Sequence, residues 1–191
     1  SCKDNKNYFN HRGIERKKMY PLLSSVDTKF FSSKKISEKG QEQYFLIASK
    51  FESRKNLIEA ILGYKNFISK SKKHFPKLYL AGAGPHLKFL AQYFDKNIIY
   101  VGYIQDKFEM RDLLQNSSGL IISSIYDPSP KIINEALACS KPILCRNTIG
   151  TSGDLVEHLK NGYIYSPNKK NDLENGISWL VKNNKKKEVK N

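Results

Sequence analysis

Short apolar runs alternate with amphipathic segments along most of this 191-residue sequence, and the alternation restricts the chain to a few folds. A run of about four to six apolar residues is typical of a strand buried on both faces of a parallel sheet. The segments between the runs carry apolar residues at helical spacing. The pattern predicts an α/β fold with a doubly wound, Rossmann-like parallel sheet of about six strands. The predicted strands are 44–49, 77–82, 97–102, 119–124, 142–146 and 162–166, and the predicted helices are 55–70, 85–94, 107–117, 131–140, 152–160 and 172–183.

The alternation divides the chain into two unequal parts. We expect one domain over residues 41–191, whereas residues 1–40 do not form a unit of their own. Segment 19–31 combines a short apolar run with a proline and turn residues, which indicates a crossover between domains. Segment 32–43 is polar and rich in turn formers, which predicts a linker or a surface loop. The sequence does not begin with Met, and we expect it to be a fragment of a longer protein.

The net charge and the cysteine content restrict the classes of partner and the cellular compartment that fit this chain. The net charge of +15 favours an anionic partner. Nucleic acid, anionic lipid and phosphorylated substrates are all anionic and fit this charge equally well. The alternative is that many of the lysines only form a solvated surface. No run approaches the roughly 20 apolar residues of a membrane helix, and the N-terminus lacks a signal-peptide pattern. Cys2, Cys139 and Cys145 are predicted to be free thiols in a reducing compartment. The four histidines are scattered, so no metal site is expected.

Ligands bind doubly wound sheets beyond the carboxyl ends of the strands, so the residues that follow each predicted strand are the site candidates. Lys50 and Lys55 flank the turn after the first strand and are placed to bind an anion. Gly82 and Gly84 follow the second strand, where glycine lets the backbone approach a ligand closely. Taken alone, the lysines also fit a basic surface loop, and the glycines also fit a plain structural turn. A glycine- and hydroxyl-rich turn over 150–155 is a further anion-site candidate at the start of a predicted helix, although such a segment is often just a turn.

The strongest candidates lie between Asp127 and Glu135. Ser129 followed by proline suits the N-cap and first position of a helix. The amides of Lys131, Ile132 and the following isoleucine would then point at an anion such as phosphate. Glu135 would accept hydrogen bonds from a ribose diol, as acidic residues do in Rossmann sites. The competing interpretation is a surface pair between Lys131 and Glu135, worth about 0.2–0.5 kcal/mol.

These motifs, in this order and at these separations, resemble the C-terminal domain of family 4 glycosyltransferases of the GT-B architecture. Lys50 and Lys55 stand where that family's G-R-L-x-x-x-K-G segment has arginine and lysine, and 82–85 matches its G-x-G-P turn. Its E-x7-E signature appears with Asp127 in place of the first glutamate and with Glu135 as the second.

Three further segments extend the resemblance to about residues 12–183. The run 135–143 is close to the family's E-A-x-A-x-G-x-P-V, with Ser140 in place of glycine. Segment 161–168 is similar to the N-G-x-x-x-x-P ending. Segment 26–31 is similar to the V-D-x-x-x-F that marks the crossover from the N-terminal domain.

The resemblance implies a fold, a reaction and a set of roles. Residues 41–191 would be the donor-binding C-terminal half of a GT-B fold, and residues 1–40 a crossover and linker remnant of a missing N-terminal Rossmann domain. The reaction would be retaining transfer of a sugar from a nucleotide diphosphate sugar to a hydroxyl of a glycan or glycolipid, without a metal or other cofactor. Glu135 would hold the ribose and Asp127 would face the sugar, as the two catalytic carboxylates. The diphosphate would be bound by Lys50, Lys55, Gly82, Gly84, Ser129, Lys131 and Ile132.

The biological setting implied is bacterial-type cell-surface polysaccharide or glycolipid synthesis, in the cytoplasm or at the inner face of an anionic membrane. The fragment alone is expected to be inactive, and no nucleic acid is expected as a partner. A nucleotide-sugar epimerase of the same fold and a non-catalytic nucleotide or anion binder remain alternatives. A nucleic-acid binder is suggested by the charge alone, without a recognisable module.

Overall fold

The computed structural model describes residues 3–20, 24–32, 42–70 and 75–183. Most of the predicted linker (33–41), His74 and the basic tail from residue 184 therefore lie outside the described residues. Within these ranges no helix is both long and apolar enough to cross a bilayer.

The described residues contain a six-stranded parallel sheet, which confirms the predicted doubly wound α/β fold. The strand order is β3-β2-β1-β4-β5-β6, so the chain moves outward from β1 to one edge and then returns to build the other half from β4. The strands are β1 Tyr44–Ala48, β2 Lys77–Ala81, β3 Ile98–Gly102, β4 Gly119–Ile122, β5 Ile143–Arg146 and β6 Gly162–Tyr165.

Helices cover both faces of this sheet because successive residues of each strand point to opposite sides. On β1, Phe45 and Ile47 belong to one apolar cluster with α2 and α6, while Leu46 belongs to the other, which includes Ile133 of α5. The helices are α1 Lys3–His11, α2 Leu57–Ser69, α3 Leu87–Leu90, α4 Lys107–Asn116, α5 Lys131–Ala138 and α6 Asp172–Asn183, with 3-10 turns at Arg16–Lys18, Ser53–Lys55 and Ala91–Tyr93.

Three details differ from the sequence pattern. The pattern predicts a helix over 152–160, but this segment forms turns, because Gly153 and Leu159 both have positive φ angles (80° and 65°) that interrupt a helix. The amphipathic stretch 85–94 splits into the single turn of α3 and a 3-10 turn. Helix α1 has no counterpart among the predicted elements.

The segment before the linker packs on the sheet domain. The side-chain amide of Gln115 on α4 donates to the Ser32 carbonyl at 2.6 Å, and that of Asn134 on α5 donates to the Ser24 carbonyl. Phe30 meets Phe108 edge to face with a centroid separation of 5.2 Å. Residues 24–32 are thus held against α4 and α5, and the predicted boundary at residue 40 stays a prediction.

The glycine turn after β2 lets two loops touch. Gly82 and Gly84 have φ angles of 144° and 156°, where side chains are strained. A Cβ at Gly82 would lie 1.9 Å from the Ser49 carbonyl oxygen, and one at Gly84 would lie 2.4 Å from the Phe51 carbonyl oxygen. The Phe51 amide also donates to the Ala83 carbonyl at 2.8 Å. The turn therefore fixes the course of the loop that follows β1.

We predict that Gly82→Ala destabilises the chain by roughly 1–3 kcal/mol more than Gly102→Ala, because overpacking is added to a similar backbone cost. Gly102 is the matched control, since it too has a positive φ (95°) but a methyl group there would have no neighbouring atom within 4 Å. Urea unfolding of both variants measures the difference. If the two variants lost equal free energy of unfolding, backbone conformation alone would explain why glycine is needed at position 82.

Candidate functional site

An ion pair joins the loops that follow the two central strands. Lys55 Nζ lies 2.5 Å from Asp127 Oδ2, and both side chains are largely buried, with exposures of 12% and 11%. Lys55 ends the 3-10 turn after β1, and Asp127 lies beyond β4. Because β1 and β4 are neighbours where the strand order reverses, both loops open into the crevice in which doubly wound sheets bind ligands.

Backbone bonds hold the same two loops together. The Ser123 hydroxyl donates to the Lys55 carbonyl at 3.0 Å, and the Ile125 amide donates to the Arg54 carbonyl at 2.8 Å. Arg54 Nη1 lies 3.8 Å from Asp127 Oδ2, and its Nε lies 2.7 Å from a Glu52 carboxylate oxygen. The sequence interpretation passed over Arg54, although its position beside Lys55 in the same strand-end segment was the available signal.

The other residues of the first two motifs lie around this pair. Lys50 is exposed at the start of the loop, so its side chain is free to reach an anion in the crevice. Gly82 and Gly84 face the Ser49–Phe51 backbone, so their close approach is to the loop itself. It stays a prediction that Gly82, Gly84, Lys50 and Lys55 contribute to ligand binding.

The start of α5 differs from the predicted cap. The sequence predicts Ser129 as the N-cap, but Pro130 occupies that position with an extended ψ of 114°, and no side chain caps the helix. The reason is local, because the Ser129 amide donates to Asp127 Oδ1 at 3.3 Å and so keeps Ser129 in the preceding loop. The Ile133 amide donates to the Pro130 carbonyl at 3.1 Å, so the free donors of this helix start are reduced to Lys131 and Ile132.

Glu135 lies on α5 without the surface partner of the competing interpretation. Within the described part of the chain, no ion pair shorter than 4 Å joins it to Lys131. Burial raises the pKa of Glu135, and the nearby charge of Lys131 lowers it by less. This half-buried carboxylate is therefore kept in a poorly solvated place without a strong ion pair, which is consistent with a ligand-binding role.

The turn after β5 completes the crevice. The Gly150 amide donates to the Asp127 carbonyl at 2.9 Å, and Asp127 and Ile149 form an isolated parallel bridge. A Cβ at Gly150 would lie 2.5 Å from the Pro128 carbonyl oxygen. The glycine- and hydroxyl-rich turn thus packs directly against the loop that carries Asp127, and together they fix the Asp127 backbone.

Among the described histidines, His86 reaches this site, because its Nε2 lies 3.2 Å from the Ser53 hydroxyl in the 3-10 turn that ends at Lys55. Cys139 and Cys145 are buried free thiols, and burial raises their pKa values to about 11 and about 12. No cluster of three or more His, Cys, Asp or Glu that could hold a metal ion occurs in the described ranges. The groups gathered at the strand ends are cations, the paired carboxylates of Glu52 and Asp127, and helix-start amides, and this combination suits the binding of a phosphorylated ligand.

Comparison with known proteins places this site in context. Residues 28–190 match the family described as glycosyl transferases group 1. Lipopolysaccharide 1,6-galactosyltransferase of Escherichia coli is 24% identical over 165 residues, which is 82% of this chain and 44% of that protein.

Solved structures share the fold at low identity. The structure of Anabaena HepE in complex with UDP superimposes with a TM-score of 0.79 at 17% identity, over 96% of this chain and 53% of that one. The C-terminal domain of a glycosyl transferase group 1 family protein (LpcC) from Francisella tularensis gives a TM-score of 0.68 at 19% identity, over 83% and 88% of the two chains. The chain thus spans about half the length of the longer relatives and most of the isolated C-terminal domain.

We predict that Glu135→Gln stabilises the unliganded chain at neutral pH. The pKa of Glu135 in the folded chain is raised above its ordinary value of 4.5. At a pH between the ordinary pKa and the raised pKa, the folded chain therefore binds more protons than the unfolded chain. Stability therefore falls as pH rises through that window, and the penalty remains at higher pH. Urea unfolding should show the gain at pH 7 and its loss as pH falls below 4.5.

Glu157→Gln is the matched control, because that carboxylate is 57% exposed. It should show no comparable gain. A Glu135→Gln variant that is less stable than the wild type at pH 7 would contradict the desolvation argument.

Proposed function

This chain belongs to the family of glycosyl transferases group 1, and from that premise we propose that it is the donor-binding half of a retaining glycosyltransferase. The donor is a nucleotide diphosphate sugar, and the acceptor is a hydroxyl of a glycan or glycolipid. The observation that carries the proposal is the Lys55–Asp127 pair at the β1–β4 crevice, with Arg54 beside it and the start of α5 next to it.

The main electrostatic task in such a transfer is to stabilise the departing diphosphate. The bond between the sugar and the diphosphate oxygen breaks, and the acceptor oxygen bonds to the same face of the sugar as its proton passes to the departing diphosphate oxygen. Charge accumulates on the diphosphate, where cations that are already in place contribute most. Lys55 suits this role because Asp127 holds its ammonium group at 2.5 Å before any ligand arrives. Arg54 and Lys50 supply further positive charge at the rim.

The remaining roles follow from position. Glu135 holds the ribose diol, the Lys131 and Ile132 amides assist at the diphosphate, and Asp127 lies between the diphosphate and the sugar. No metal or other cofactor is needed in this arrangement, because the protein's own cations balance the charge. The acceptor site belongs to a second Rossmann-type half, since the relatives are about twice as long as this chain. By itself the 191-residue chain binds donor and does not transfer sugar.

The pathway is proposed by analogy with a relative of this chain. Its relative in Escherichia coli is named as a lipopolysaccharide galactosyltransferase, which supports a role in cell-surface polysaccharide or glycolipid synthesis. The net charge of +15 supports a cytoplasmic location with peripheral contact to the anionic inner face of a membrane.

The test of the proposal is diphosphate binding. We predict that the chain binds UDP more tightly than uridine, and that Lys55→Ala lowers the UDP affinity about tenfold or more while uridine changes by less than about twofold. Isothermal titration calorimetry measures both affinities. Because an unpaired Asp127 carboxylate would itself repel the diphosphate, Lys55→Ala is also measured together with Asp127→Asn, and the UDP-to-uridine ratio is diagnostic when it falls in both variants.

Lys96→Ala is the control, since this exposed lysine precedes β3 at the opposite end of the strands. It should leave both affinities unchanged. Equal losses for UDP and uridine in Lys55→Ala would remove Lys55 from the diphosphate site.

The ribose role of Glu135 has its own test. We predict that the wild type prefers UDP over its 2′,3′-dideoxy analogue, and that Glu135→Gln loses most of a preference of about tenfold, because a charge-assisted acceptor is lost. Competition calorimetry with the two nucleotides measures the ratio. An unchanged ratio in the variant would assign the diol to another residue.

A further inference from the structure

Asn56, the residue after Lys55, has an unusual backbone. Its φ and ψ angles are 48° and 45°, in the left-handed region that glycine adopts freely and that asparagine adopts where its side chain can hydrogen-bond locally. It separates the 3-10 turn Ser53–Lys55 from α2, with its amide donating to the Ser53 carbonyl at 3.1 Å and its carbonyl accepting from the Glu59 amide at 3.1 Å. The direction in which Lys55 projects therefore depends on Asn56 keeping this conformation.

Side chains from two other elements hold Asn56. Its side-chain amide donates to Glu59 Oε2 in the first turn of α2. The same oxygen accepts from Arg146 Nη1 at 2.7 Å. Arg146 is the last residue of β5, so the pair connects the carboxyl end of β5 to the turn that carries Lys55.

The Glu59–Arg146 pair is not explained by stability. The two side chains are only 22% and 16% exposed, and a buried ion pair typically stabilises a fold no better than apolar residues of similar size. Arg146 Nε is buried without a hydrogen-bond partner among the residues that the structure describes. A polar arrangement kept at this cost, close to Lys55, indicates a positional role.

We propose that Glu59 and Arg146 are positioning residues, whose ion pair holds the Asn56 turn in its left-handed form and so keeps Lys55 Nζ against Asp127. Lys55 is then fixed from two sides. Its carbonyl is bound by Ser123 beyond β4, and the following residue is held by the pair from β5 and α2. The consequence for diphosphate binding rests on the proposed function, whereas the consequence for Lys55 itself does not.

The experiment replaces the pair as a unit. Glu59→Leu with Arg146→Met removes both charges, so neither is left buried and unpaired. Acetic anhydride labelling followed by mass spectrometry reports how accessible Lys55 is, with Lys96 as the internal standard. The pair-free variant should acetylate Lys55 severalfold faster, and its UDP affinity should fall about tenfold with uridine within about twofold.

A rescue separates positioning from general damage. Adding Asn56→Gly should restore slow Lys55 acetylation and most of the UDP affinity, because glycine adopts the left-handed conformation without a side-chain clamp. Asn56→Gly alone should behave like the wild type. The Glu59→Gln variant keeps the size of the side chain. Its Lys55 acetylation rate and its UDP affinity should change in the same direction as those of the pair-free variant, and Asn56→Gly should restore both.

The control removes an exposed pair in the same way. Glu157→Leu with Lys160→Met deletes a surface contact of 2.8 Å and should change neither readout. Unchanged Lys55 acetylation in both the pair-free and Glu59→Gln variants would overturn the positioning role. A wild type that binds UDP no better than uridine would contradict the proposed function, and the acetylation rates would still decide the role of Glu59 and Arg146.

Discussion

The ion pair between Lys55 and Asp127 joins segments that lie 72 residues apart in the sequence, and the site is arranged around it. It forms because β1 and β4 pair in parallel at the point where the strand order reverses, which brings their carboxyl ends to one crevice. Charges of this degree of burial need a partner, so neither residue can be understood alone. The pair gives an ordered cation at the place where a doubly wound sheet binds its ligand.

Close backbone contact makes this order possible. Each of the glycine-containing turns, after β2 and after β5, packs against the backbone of a neighbouring loop at a distance that a Cβ would not permit. The loop after β1 is thus bound by the turn after β2, and the loop after β4 is bound by the turn after β5. The four strand-end motifs form one interlocked layer, in which a shift in any loop moves Lys55 or Asp127.

Some charged groups of this layer suit ligand binding but do not stabilise the fold. Glu135 is kept where burial disfavours its charge, and Glu59 with Arg146 forms a largely buried pair. Proteins tolerate such groups where a ligand or a neighbouring site requires them. The large net charge of the chain contributes little to this picture, because most of the lysines that the structure describes are exposed and few of the described cations lie at the crevice.

The sequence alone determined the fold class and the six strands, because short continuous apolar runs and the helical spacing of apolar residues are local properties of the chain. It also identified Lys55, Asp127 and Glu135 as candidates, from their positions beside the predicted strand ends and then from the resemblance to a known family. It could not order the strands, and so could not show that Lys55 meets Asp127. Nor could it show that Ser129 serves the loop instead of capping α5, or that Glu59 and Arg146 meet beside Asn56. Those outcomes depend on which strands become neighbours and on how loops compete for the same hydrogen bonds, and only the tertiary structure decides these.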